Sequence, residues 1–213
     1  MKQKILMSSI IKYLLIIITV LSFNLSSAQE KNKDKTDFPV KPFQVMVSAG
    51  LYYPQAFGNN LASKDLSLNP GIHHAITGKL SEHNLLFGIS YSGFRGKVKE
   101  NANIGSYDKS GINVFMTEVG YIFWEQQAWS AHVKGGFGLA YYYNKSNDFS
   151  FRDTGKSLAV SPTLTYRFHK NFAAYSTLSY RHDFLKTKTP SAVKSYFKNQ
   201  DYLTLSLGIT LLF

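Results

Sequence analysis

Residues 203–213, LTLSLGITLLF, put Leu203, Leu205, Leu207, Ile209, Leu211 and Phe213 on one side of an extended chain and Thr204, Ser206, Gly208 and Thr210 on the other. Successive side chains of a strand point to opposite faces, so this alternation marks a strand with one apolar and one polar face. The same period of two recurs upstream. Gln44–Tyr53 aligns Val45, Val47, Ala49, Leu51 and Tyr53; Gly71–Leu80 aligns Ile72, Ile76 and Leu80; a third segment aligns Leu85, Phe87, Ile89 and Tyr91. Four more segments align Phe115 to Phe123, Trp129 to Tyr143, Leu158 to Phe168 and Phe172 to Phe184. These eight segments predict eight strands between residues 43 and 213, and none has a sustained helical period.

The connections alternate in length. Ser81–Asn84, Glu125–Ala128 and His169–Asn171 are short, whereas Pro54–Asn69, Gly96–Lys109, Asn144–Gly155 and Lys186–Asn199 are long. An antiparallel meander with all its short turns at one end predicts an all-β, eight-stranded up-and-down barrel. Closing the ring also removes the edges that such apolar strands would expose to aggregation.

Upstream of the barrel the composition changes. Lys2, Lys4 and Lys12 precede the short apolar run Tyr13–Leu21, and Ser26, Ser27 and Ala28 are small residues before Gln29. This is the pattern of a secretory signal peptide over residues 1–28, followed by a polar lead-in over 29–42 and the barrel domain over 43–213. The apolar run is too short to span a bilayer as a helix. Its removal takes away three lysines and no acid, lowering the net charge from +11 to +8. The chain has no Cys, which excludes disulfides, thiolate metal sites, a Cys nucleophile and a lipid-modified N-terminal Cys.

Periodicity alone leaves open which face is outside, because a soluble lipocalin-like barrel alternates in the same way. Two features favour a transmembrane β-barrel. The polar face is mostly Gly, Ala, Ser and Thr, which suits a narrow eight-strand interior better than a water-facing surface. Aromatics also gather at both strand ends: Phe123, Trp124, Trp129, Phe168 and Phe172 by the short turns, and Tyr53, Tyr91, Tyr141, Tyr143, Tyr180 and Phe184 by the long loops. Two aromatic belts around an apolar band match the two interfaces of a bilayer.

With the leader, eight strands, alternating loops and the pattern from Leu203 to Phe213, the sequence resembles the small outer-membrane barrels of the OmpX, OmpA-barrel and OmpW type. The resemblance covers residues 43–213. It implies short turns in the periplasm, long loops outside the cell, and Phe213 as the signal read by the barrel-insertion machinery. It implies outer-membrane lipids and lipopolysaccharide as surroundings, and no enzymatic activity. The resulting expectation is a non-enzymatic structural or interaction protein, with a narrow passive channel as the alternative and a lipid-modifying enzyme as a third reading.

Inward-facing charges are the site candidates. Pairing Phe123 with Trp129 sets Glu118 across from Lys134. His132 shares their face; Lys79 and Arg167 point inward near the short turns, and Arg181 and Asp183 near the long loops. The expectation is a salt-bridged polar network filling the barrel. Outer-membrane lipid A deacylases carry a lipid-facing His two residues before a Ser nucleophile; here His182 is followed by Phe184, which leaves nothing for the imidazole to activate. His73 and His74 fall on opposite faces of one strand and cannot share an interior metal. Neither metal nor cofactor is expected. Lys186, Lys188, Lys194 and Lys198 make the last loop basic, a candidate surface for lipopolysaccharide phosphates or another anionic partner. Nucleic acid is not expected, because the basic residues form no single strip on a soluble face.

Overall fold

The computed structural model of the protein describes residues 42–99, 108–146, 150–187, 189 and 193–213. The leader, nearly all of the lead-in and Lys188 lie outside the described residues. The strands are β1 (Phe43–Phe57), β2 (Leu66–Leu68), β3 (Gly71–Leu80), β4 (Leu85–Val98), β5 (Lys109–Gln126), β6 (Trp129–Lys145), β7 (Ser150–His169), β8 (Phe172–Lys186) and β9 (Asn199–Leu212). Two short helices, α1 (Leu61–Lys64) and α2 (Lys194–Lys198), sit in the first and last long connections. Eight long strands pair antiparallel in chain order, and β1 joins β9 through pairs such as Ser48↔Thr210, which closes the ring. The three-residue β2 adds only to the upper end of β4, at Leu66↔Val98.

Turn chemistry explains the short end. The β5–β6 hairpin turns on Gln127 and Ala128, with Gln127 in the left-handed region at φ 52°. The β3–β4 connection is one helical turn closed by Asn84 at φ 54°, a conformation Asn tolerates better than most residues. At the other end β1 runs through Pro54 to Phe57, four residues into the stretch that the sequence placed in the loop. Pro54 lies past the last β1–β3 pair, Tyr52↔Gly71, so β1 is an edge on that side, where a missing N–H is tolerated.

The polarity of the wall changes along its length. In the lower and middle part Phe87, Ile89, Phe115, Val119, Phe137, Leu158, Val160, Leu207 and Ile209 all point out and are exposed, while Ser90, Thr77, Glu118, Thr163 and Thr177 are buried inside. Higher up, apolar side chains join the polar ones inside: Phe94, Ile112, Val114, Tyr142, Leu185 and Tyr202 cluster with Ala62 and Leu66, beside buried Ser110, Asn144, Ser157, Asp183 and Gln200. The outward ones there become basic, with Arg95, Lys97, Lys109, Lys145, Arg152, Lys156 and Lys186 exposed on β4 to β8. A transmembrane strand needs about 9–11 residues. Strands β5, β6 and β7 have 18, 17 and 20, so their upper ends rise clear of a bilayer. One wall thus faces two solvents: lipid below, where apolar residues belong outside, and water above, where they belong inside.

Candidate functional site

The interior is built in tiers. At the short-turn end Lys79 Nζ donates to both oxygens of Glu125, at 2.7 and 2.8 Å, and Arg167 donates to Gln44 at 3.3 Å. By strict alternation Glu125 would face lipid. A β-bulge between Ile122 and Trp124 shifts the register by one residue, turning Glu125 inward onto Lys79. The sequence placed Lys79 inside but could not see its partner, because a bulge has no signature in the period.

The middle tier contains the expected pair. Lys134 Nζ lies 2.6 Å from Glu118 Oε2, and Ser90 donates to Oε1 at 2.8 Å. The register differs from the expected one: Glu118 faces Gly136 and Lys134 faces Gly120, so the ion pair is diagonal. The bulge and a turn tighter than the sequence implied account for the offset. Glycines opposite both charges leave room for the side chains to reach each other. His132 is buried beside this tier, and His73, with its Nδ1 3.0 Å from Ser92 Oγ, points inward. His74 faces outward, stacked on Tyr91, as alternation requires. Replacing Glu118 by Gln is expected to destabilise the barrel by roughly 1–3 kcal/mol, since Lys134 keeps its charge and loses its counter-ion. An unchanged urea midpoint in detergent micelles would show that the pair contributes nothing.

In the upper tier Arg181 and Asp183 are only 2% and 0% exposed and lie 3.1 Å apart. Asp183 also accepts from Tyr142 Oη at 2.7 Å and Ser157 Oγ at 2.6 Å. Tyr142 and Tyr202 share a hydrogen bond at 2.7 Å, and Arg181 donates to Tyr52 at 2.9 Å. The guanidinium lies 4.3 Å from the centroid of Tyr202 and 5.3 Å from that of Phe94. Its Nε has no hydrogen-bond partner among the described residues, so aromatic faces support that side of the charge. Tyr52, Tyr142 and Tyr202 were not singled out in the sequence, although their positions relative to Tyr53, Tyr143 and Leu203 place them on the inward face.

Around the tiers lie small cavities of about 30–40 Å³, room for a few waters each. Above them the two helices pack together over the β4, β1, β9 and β8 side of the mouth. Gln200 accepts from Ala62 N and donates to the carbonyls of Tyr196 and Phe197, Tyr196 donates to Asp65, and Leu61 packs on Val98, Tyr196 and Phe197. Lys186, Lys194 and Lys198 are therefore carried on an ordered cap and its adjoining strand rather than on a loose loop. Phe213 is exposed on the outer side and donates its N–H to Val45 O.

Outside the wall, His182 Nδ1 lies 2.6 Å from Asp201 Oδ1, which also accepts from Tyr180 at 2.8 Å, and the imidazole packs against Phe184 at 4.2 Å. Among the described residues, no cluster of three or more His, Asp or Glu could hold a metal ion.

An eight-stranded antiparallel barrel, apolar outside and polar within, is the architecture of small outer-membrane barrels. No protein-family model matches the chain, and no curated protein matches it in sequence. In structure it is similar to Neisserial surface protein A, with 15% identity, 80% of this chain and 97% of that one covered, and a TM-score of 0.53. It is also similar to Ail, the attachment invasion locus protein of Yersinia pestis, solved with the heparin analogue sucrose octasulfate. There the identity is 16%, the coverage 81% and 100%, and the TM-score 0.52. OprG of Pseudomonas aeruginosa gives 11% identity, coverage of 81% and 97%, and a TM-score of 0.53. The chain therefore has the fold of these eight-stranded outer-membrane proteins.

Proposed function

We propose that this protein is an integral outer-membrane barrel with a structural or interaction role at the cell surface and no enzymatic activity. In this reading residues 1–28 direct export, the last strand ending at Phe213 is read by the insertion machinery, and the short turns face the periplasm. The observation that carries it is the change of the outer face along the wall, from an exposed apolar belt to a basic rim. An apolar belt on the outside is stable only in lipid, and the basic rim above it lies where outer-leaflet phosphates would be.

The interior supports a closed barrel rather than a conduit. Ion pairs occupy all three tiers, the cavities around them are of water size, and the two helices pack over one side of the mouth. The basic residues at the cap, Lys186, Lys194 and Lys198, favour a polyanionic partner such as lipopolysaccharide or a sulfated polysaccharide; Lys188, also in that loop, lies outside the described residues. Ail, similar in fold, was solved with the heparin analogue sucrose octasulfate.

Membrane fractionation with heat-modifiable gel migration tests the location: the protein should pellet with outer membranes and migrate faster unboiled than boiled. Recovery in the soluble fraction would refute the reading. In planar bilayers it should show no stepwise conductance, and a reproducible open state would replace the plugged barrel with the channel alternative.

A further inference from the structure

The apolar skin of the barrel has a dent. Gly135 of β6 points outward between Val133 and Phe137, and its register neighbours are Val119 on β5 and Val160 on β7. A Cβ placed there would meet only the Val119 carbonyl oxygen, at 4.0 Å. Around it opens a groove of about 560 Å³, walled by Val119, Phe137, Leu158, Val160 and His182. The groove is open along the wall, so it suits an extended chain lying against the barrel rather than an enclosed ligand.

Charge is arranged directly above it. Lys156 is the next outward residue on β7 after Leu158 and pairs with Phe184, while Lys186 pairs with Thr154. Rung spacing along a strand places Lys156 about 7 Å above Leu158. Arg152 lies further up the same strand, its guanidinium 5.9 Å from the Tyr141 ring centroid. Among the described outward positions of β7 and β8 above the groove there is no acid. The neighbouring carboxylate, Asp201 on β9, already accepts from Tyr180 and contacts His182. Any barrel in a bilayer is wetted by acyl chains. Here a recess at chain depth lies beneath three cations at headgroup height.

We infer that this face is a seat for one phosphorylated acyl lipid of the outer leaflet, its chain in the groove over Gly135 and its phosphate between Arg152, Lys156 and Lys186. The inference rests on the membrane-barrel reading and specifies which lipid chemistry that barrel selects and where. Phosphate binding by the cations and chain binding by the recess are separate contributions, so each can be removed alone.

Native mass spectrometry of the membrane-extracted protein, titrated in micelles with lipid A or with phosphatidylcholine, distinguishes the possibilities. One lipid A should bind first, with an affinity at least about tenfold above that for phosphatidylcholine, a difference the method resolves readily. Gly135→Phe, which fills the groove and leaves every charge in place, should abolish this preferred first site. The double variant Lys156→Glu, Lys186→Glu should do the same, whereas Arg95→Glu with Lys97→Glu, an equal charge change on β4, should leave it intact. Wild-type affinity in Gly135→Phe would overturn the seat, as would equal losses in the two charge variants, which would mean diffuse attraction to the rim. Heat-modifiable migration is read on each sample: loss of that shift in the wild-type protein counts against the membrane barrel itself, whereas an intact shift without lipid preference counts against the seat alone.

Discussion

Replacing Asp183 by Ala is expected to cost roughly 3–5 kcal/mol of unfolding free energy, the range for removing one partner of a buried ion pair. The cost arises at Arg181, which would keep its charge at 2% exposure with no carboxylate beside it. Tyr142 and Ser157 would lose their common acceptor as well. Urea titration in micelles, followed by the unboiled gel shift, measures the loss, and a change below about 1 kcal/mol would show that water or the aromatic faces already compensate the guanidinium. The double variant Arg181→Leu, Asp183→Leu should recover a large part of the stability, because removing both charges together ends the desolvation penalty. Recovery would identify the pair as filling with matched charges rather than as a source of net stability.

The second large effect reads the outer wall. Val119 is 66% exposed, and on a water-soluble protein Val119→Arg at such a position would be nearly neutral. In a lipid-facing midplane position it should cost about 2–4 kcal/mol. Thr154→Arg, on the outward side of β7 between Arg152 and Lys156, should change stability by less than about 0.5 kcal/mol, because that position faces water or headgroups. Equal effects at the two positions would mean that the wall meets one solvent throughout, and the boundary drawn between the apolar belt and the basic rim would fall.

The eight strands, their pairing order and the side facing lipid were legible because a period of two and alternating loop lengths carry them. Glu118 and Lys134 were legible as partners for the same reason, since parity survives a register error that is even. The error itself was invisible: a bulge at Phe123 leaves no trace in hydropathy, yet it brings Glu125 to Lys79. The sequence also implied one polarity for each face along the whole strand. That holds only within the bilayer, and Phe94 beside Arg95 belongs to the zone above it. Tyr52, Tyr142 and Tyr202 went unread because tyrosines near strand ends fit an interfacial belt as readily as a buried cluster, and only parity separates the two. The cap was missed because α1 and α2, with four and five residues, are too short to establish a helical period.

The seam between β1 and β9 has a kinetic consequence. Ser48 and Thr210, which share a 2.8 Å hydrogen bond across it, are separated by 162 positions in the chain. Hairpins such as β5–β6 can form from neighbours, but the last closure must bring the two ends of the barrel together, and loop-closure entropy opposes it until all intervening hairpins are in place. Until then β1 and β9 are unpaired edges inside or beside a bilayer, where unsatisfied backbone groups are most costly. Assembly is thus slowest at the step with the most exposed intermediate, and a helper that holds those two edges would act there rather than on any single hairpin.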